Sequence, residues 1–171
     1  MHKPRTSASA HERSECVGTL ASMLMAVALL AAIALASHVA SAAEAGIAAF
    51  AVAGDVIALP LEGRAGDPAR GLTVIRDRRT GNCLICHRLA LNDEPFQGDI
   101  GPSLDGVGRR LTAAQIRLRV VDASRINPAT RMPSYYRIDG LVNVAPEYSG
   151  LPVLDAQQIE DIVAYLASLK E

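Results

Sequence analysis

Residues 83 to 87 of this 171-residue chain read Cys-Leu-Ile-Cys-His. Two thiols three positions apart, followed at once by an imidazole, form the pattern by which a c-type heme is attached to a polypeptide. The spacing has a mechanical reason, because on one helical turn both sulfurs reach the two vinyl groups of a single porphyrin while the next residue turns its ring towards the iron. The motif therefore predicts one covalently attached heme c, with Cys83 and Cys86 as attachment points and His87 as an iron ligand.

Three other interpretations of this motif are weaker. A structural zinc site needs four nitrogen or sulfur ligands, and only three are present unless a carboxylate joins them. A thioredoxin-like redox pair needs strands alternating with helices around it, and the sequence pattern shows none. A plain disulfide is compatible with an exported protein but leaves His87 without a role.

The N-terminal segment has the pattern of an export signal. Residues 17 to 36 carry no charge, basic residues precede them, and Ala40-Ser41-Ala42 follows as a small-residue cleavage site. We expect cleavage after Ala42, and an uncleaved anchor is the alternative because the apolar run reaches the ~20 residues that span a bilayer. The expected division is a signal peptide (1–42), an N-terminal extension (43–66) and a heme domain (67–171), periplasmic and without membrane association after cleavage.

Few residues outside the signal can ligate iron. Of four His, three Cys and four Met in the whole chain, only Cys83, Cys86, His87 and Met132 lie beyond residue 42. A lone Met is often core filler, but Pro133 favours an extended conformation at Met132, which suits a loop that presents a side chain. We therefore predict Met132 as the second axial ligand, since a His/Met pair is typical of electron-carrying cytochromes c.

The remaining sequence predicts helices joined by loops rich in Pro and Gly. One helix follows Asp67-Pro68 and ends before Gly81, and a second is capped by Thr112 and runs to about Ala123. A short hairpin within residues 136 to 153 is left open. The last helix is capped by Asp155 and carries an apolar stripe of Ile159, Ile162, Val163, Leu166 and Leu169, with Glu160, Asp161 and Ser168 on the opposite face.

Charge and aromatic content exclude some functions and leave others open. A formal net charge of −1 gives no support for a nucleic-acid-binding surface. Some of the arginines between residues 76 and 119 are candidates for neutralising heme propionates or steering an anionic partner, although at least half are expected on solvated helix faces. Tyr135 and Tyr136 are candidates for packing on the heme edge, lining a subunit interface or filling the core.

The order of these elements resembles that of a class I cytochrome c. A helix, the heme motif, the loop Gly101-Pro102-Ser103-Leu104, a Met loop and a final helix follow one another in this chain. The resemblance implies an all-α domain wrapped round one heme, in which the carbonyl of Pro102 orients His87. Such an acceptor makes physical sense, because the second nitrogen of a ligating His needs a partner that fixes its ring.

A narrower resemblance covers residues 70 to 171. The segments GNCLICH, IGPSLDGVGRRL, VVDASRINPATRMPSYYRIDGLVNV and LPVLDAQQIEDIVAYLASL are similar to the SoxX family of monoheme subunits of SoxAX cytochromes. The resemblance implies a periplasmic heterodimer with a SoxA-like cytochrome, in which thiosulfate is joined oxidatively to a cysteine of a SoxYZ-like carrier protein. The complex would be an L-cysteine S-thiosulfotransferase, and this chain would accept electrons and pass them to a soluble cytochrome.

No catalytic residue is predicted in the chain itself, because after Cys83 and Cys86 are used no thiol remains beyond the signal for substrate chemistry. The main alternative is a freestanding electron shuttle that performs no substrate chemistry. A gas sensor or peroxidase ranks third, since it requires an open sixth iron position that Met132 would close.

Overall fold

The computed structural model describes residues 47–171, and the predicted signal peptide lies outside this range. Among these described residues there are four α-helices, which we label α1 (Pro68–Arg76), α2 (Val107–Arg110), α3 (Ala113–Asp122) and α4 (Ala156–Ser168). Three 3₁₀ turns, Cys83–Ile85, Ala123–Arg125 and Pro146–Tyr148, lie between them. Within the described range there is no strand, only one isolated bridge between Ala53 and Val56, and no helix long and apolar enough to cross a bilayer. The all-α prediction is confirmed.

Helix α1 begins as its sequence predicts and ends earlier. The Asp67 side chain accepts the N–H of Arg70 at 2.9 Å, and Pro68 occupies the first turn, where its missing N–H costs nothing. The helix ends at Arg76 rather than just before Gly81. The reason is local, because the Asp77 carboxylate accepts the N–H of Arg79 and the hydroxyl of Thr80, and such bonds compete with helical ones.

Capping boxes define the starts of α3 and α4. Thr112 and Gln115 exchange side-chain to backbone hydrogen bonds at the start of α3, and Asp155 and Gln158 do the same at α4. Each box satisfies two backbone donors that the first helical turn leaves without partners. The single-turn α2 follows Gly106, whose φ of +60° favours glycine.

The core forms where α4 packs against α1, α2 and α3. Gly71 permits the close approach of α1, because a Cβ at that position would overlap the carbonyl of Asp161 in α4. The apolar side chains that become fully buried around this crossing are Ile75, Leu118, Val121, Ile159 and Ile162.

The two carboxylates predicted on the face of α4 opposite the apolar stripe are both buried. Glu160 and Asp161 are only 4% and 2% exposed. Glu160 forms a bidentate pair with Arg117 of α3, with both N···O distances 2.7 Å. Asp161 accepts the Arg70 side chain of α1 at 2.7 and 2.9 Å. The apolar stripe predicted one buried face, but α4 has helices on more than one side, so its charged face is also covered and is neutralised by arginines.

The segment before α1 is bound into the same core. Ile57 and Leu61 are buried, and the Ile57 N–H donates to the carbonyl of Ala114 at 3.1 Å. The Arg117–Glu160 pair supplies two more bonds, since Arg117 donates to the Ile57 carbonyl at 2.8 Å and Glu160 accepts the Leu61 N–H at 2.9 Å. A backbone stretch without regular structure is thereby fixed by charged groups from two helices.

The hairpin left open for residues 136 to 153 does not form. The Tyr135 and Tyr136 N–H groups instead donate to the carbonyls of Val120 and Val121, at 3.4 and 3.2 Å. The Leu154 N–H donates to the Tyr135 carbonyl at 3.1 Å. Tyr135 and Tyr136 are therefore attached to the end of α3, and Leu154 is attached to Tyr135 by a single bond rather than through a pair of strands.

Candidate heme site

The Cys83–Ile85 turn places both thiols on one short stretch of backbone. Asn82 precedes it with φ of +47°, a left-handed conformation that Asn tolerates better than most residues. The N–H groups of Cys86 and His87 both donate to the Cys83 carbonyl, at 3.2 and 3.0 Å. Leu84 is buried while Cys83 and Cys86 are half-buried, and both thiols are free. The turn is anchored by Leu84 and leaves both sulfurs available.

The His87 ring is held from one side. Its Nδ1 lies 2.7 Å from the carbonyl oxygen of Pro102. Gly101 lies against the ring, and a Cβ there would overlap the ring atoms of His87. The Gly101 N–H also donates to the Cys86 carbonyl at 2.8 Å, which fixes the loop against the motif. A proton on Nδ1 directed at Pro102 leaves Nε2 with a free lone pair that could ligate a metal.

The chain just after His87 is held by residues that sequence reasoning missed. The side chain of Gln97 accepts the Leu89 N–H at 2.6 Å, and Asp105 accepts the Ala90 N–H at 2.6 Å. These polar side chains satisfy backbone donors of an irregular segment. Nothing in their local sequence distinguishes them from ordinary loop residues, so only the fold reveals the role.

Met132 lies in the loop that leads out of α3. Its side chain is half-buried and packs against the hydrophobic core, and its N–H donates to Thr130 Oγ1 at 3.1 Å. Three residues later, the buried Tyr135 hydroxyl donates to the Gly81 carbonyl at 2.7 Å. Because Gly81 lies two residues before Cys83, this bond connects the Met loop to the heme motif.

The electrostatics of the site favour neutral groups. Burial raises the pKa of the Cys83 thiol to about 11, and the neighbouring Cys86 adds to the effect. Burial also raises the pKa of the Tyr135 phenol. An apolar porphyrin fits such surroundings better than a bare cation does.

The donor set of the described residues also separates heme from a metal ion alone. Within residues 47–171, no group of three or more His, Cys, Asp and Glu side chains is arranged to hold a metal ion. The zinc alternative therefore lacks its fourth ligand. Two free thiols on one turn and an imidazole with one nitrogen already committed are what a covalent heme requires.

Comparison with known proteins identifies the same kind of domain as the heme motif does. Residues 69–170 match the family model for cytochrome c. The chain belongs to the cytochrome c family. A chain in the crystal structure of SoxXA from P. pantotrophus is 38% identical to this cytochrome, with a TM-score of 0.67 over 71% of this chain and 95% of that chain. No curated protein sequence matches.

These matches confirm three predictions made from the sequence. The domain is a class I cytochrome c fold, its cofactor is one covalently attached heme c, and the chain is similar to SoxX cytochromes. The cytochrome is therefore an electron-transfer protein.

Proposed function

We propose that this cytochrome is the electron-accepting subunit of a periplasmic complex of the SoxXA type. The similarity to a SoxXA chain carries the proposal, because it extends over 95% of that chain at 38% identity. The partners would be a SoxA-like cytochrome, a SoxYZ-like carrier protein whose cysteine receives thiosulfate, and a soluble cytochrome that removes the electrons.

Five residues would serve the heme in this proposal. Cys83 and Cys86 form the thioether bonds, His87 and Met132 ligate the iron, and Pro102 orients the His87 ring. The 2.7 Å contact between His87 Nδ1 and the Pro102 carbonyl supports the last role. When bound, the heme supplies a one-electron couple between ferric and ferrous iron, and a thioether ligand favours the ferrous form.

The chain's own residues support a division of labour in the complex. Cys83 and Cys86 are the only cysteines among residues 47–171, and both are used for heme attachment. Bond formation between thiosulfate and a carrier thiol would then occur on the SoxA-like subunit. The present chain would contribute the heme that accepts the electron and the residues that hold this heme.

The ligand assignment is tested by optical spectroscopy of the oxidised holoprotein. The wild type should show the weak far-red band of an iron–sulfur bond, and Met132→Ala should lose that band. Thr130→Ala is a matched control, since it changes a neighbour that only hydrogen-bonds the Met132 backbone. A far-red band that is missing in the wild type, or that persists in Met132→Ala, would show that Met132 is not the ligand.

The complex is tested by purification from the native organism grown on thiosulfate. We expect a SoxA-like cytochrome to remain bound, and the heme of this chain to be reduced by thiosulfate only when that partner and the carrier protein are present. Mass determination of the purified chain tests cleavage after Ala42. A monomer that is indifferent to thiosulfate and to the carrier would instead support a freestanding electron shuttle.

A further inference from the structure

The carboxylate of Asp122, the last residue of α3, contacts residues before and after the Met132 loop and takes no part in the candidate heme site. The residue is 2% exposed. Its Oδ1 accepts the hydroxyl of Ser124 at 2.5 Å and the hydroxyl of Ser134 at 2.6 Å. One buried oxygen thus holds two hydroxyls, one on either side of the Met loop.

Two arginines face the other oxygen of this carboxylate. Arg125 Nε and Arg137 Nη1 each lie 3.5 Å from Asp122 Oδ2. Both contacts are too long for strong hydrogen bonds, and Asp122 Oδ2 has no hydrogen-bond partner. The arginines therefore compensate the buried charge, whereas the directional bonds go to Ser124 and Ser134.

Ionisation of Asp122 follows from these neighbours. Burial opposes the charged form, but the hydrogen bonds from Ser124 and Ser134 and the charge of Arg137 outweigh it and hold the pKa of Asp122 below its usual range. An ionised carboxylate is a stronger acceptor than a neutral one. The bond from Ser134 is consequently charge-assisted.

Ser134 is two residues beyond Met132, and this spacing gives the carboxylate its significance. Before Met132, the bonds that hold the loop are local: the Ala129 and Thr130 N–H groups donate to Asn127, and the Met132 N–H donates to Thr130. The Ser134–Asp122 bond is the first side-chain bond after Met132 that ties the loop to a helix. Residues 127 to 129 are exposed, so the position of Met132 depends on the attachment that follows it.

We propose that Asp122 is a positioning residue for Met132: by holding the hydroxyl of Ser134, it fixes the loop that presents the thioether to the heme iron. The role rests on the proposed ligation by Met132. A ligand bond is only as persistent as the placement of the side chain that makes it, and outer-shell hydrogen bonds commonly provide that placement. Loosening the Ser134 contact should make the sixth position easier for another ligand to take.

The test measures how readily imidazole displaces the native ligand from oxidised holoprotein. Ser134→Ala should bind imidazole about tenfold more tightly than wild type, the factor expected from one hydrogen bond to a charged group, and its far-red band should weaken. Ser124→Ala is the matched control, because it removes the other hydroxyl from the same Oδ1. It also removes an acceptor of Arg137 Nη1 at 3.3 Å, which lies beyond Ser134, but no bond of residues 127 to 134. Asp122→Asn keeps an acceptor oxygen and should fall between wild type and Asp122→Ala.

Four outcomes decide whether Asp122 positions Met132. Tighter imidazole binding in Ser134→Ala alone of the two serine variants supports the role. Equal effects of Ser134→Ala and Ser124→Ala overturn it, because the cluster would then act only through general stability. Wild-type behaviour of Ser134→Ala overturns it even if Asp122→Ala fails to fold. If Met132→Ala leaves the wild-type spectrum unchanged, the proposed ligation itself is wrong, which is distinguishable from failure of the positioning role alone.

Discussion

Replacing Arg117 by Met is expected to destabilise the folded cytochrome by about 3–5 kcal/mol, the usual cost of removing one partner from a buried ion pair. Arg117 and Glu160 have side-chain exposures of 6% and 5%, so solvent neither screens the pair nor hydrates the charge left behind. The substitution also removes the donor to the Ile57 carbonyl. Such a loss is at least about a fifth of a domain stability of ~5–15 kcal/mol.

The assay is chemical denaturation of wild-type and variant holoproteins followed by far-ultraviolet circular dichroism. Arg117→Met combined with Glu160→Leu gives the decisive comparison, because removing both charges avoids the isolated carboxylate. We expect the double variant to be more stable than Arg117→Met alone, even though it carries one more change. A loss below about 1 kcal/mol for Arg117→Met, the range of exposed pairs, would refute the argument.

Three further predictions concern other parts of the molecule. Gly71→Ala should lower the free energy of unfolding by about 1–3 kcal/mol or more, because its Cβ overlaps the α4 backbone; equilibrium denaturation with Ala69→Gly as an exposed helical control measures this. Asp161 is buried, which opposes ionisation, but Arg70 and the Asp67 N–H outweigh burial and lower its pKa. Its contribution to stability is present above the unfolded pKa of about 4 and is lost as the pH falls through the lower folded pKa; Asp161→Asn should flatten the acid branch of stability against pH, and an unchanged slope would contradict this. Heme-free protein, as with Cys83→Ser combined with Cys86→Ser, should lack a cooperative thermal transition in calorimetry, since a porphyrin would supply missing apolar bulk; a transition like that of the holoprotein would contradict this.

The features predictable from sequence are those encoded within a few residues. The caps at Asp67, Thr112 and Asp155 depend on a side chain three positions from its partner, and each prediction of a helix start is confirmed. The heme motif is similarly local. Prediction failed at the end of α1, because Asp77 forms a turn that composition alone does not indicate.

The charged contacts were not predictable because their partners are far apart in the chain. Arg117 and Glu160 are separated by 43 residues, and neither has a local signal that distinguishes it from a solvated helix residue. Helical periodicity assigned Glu160 and Asp161 to the face opposite the apolar stripe, and the packing of several helices round α4 covers that face too. Asp122 and Ser134 illustrate the same limit within the site, since only the folded loop brings them to 2.6 Å.

The hydrogen bonds that α4 makes to early parts of the chain also affect the order in which the domain folds. Leu61 and Asp67 donate to Glu160 and Asp161 across sequence separations of 99 and 94 residues. Contacts between residues far apart in the chain cost loop-closure entropy. Only the contacts that form once α4 is in place can offset this cost. Loss of α4 by truncation would therefore remove at once the partner of α1, the counter-charge of Arg117 and the acceptor for the segment before α1. The thirteen-residue helix α4 therefore holds the early and middle parts of the described domain together.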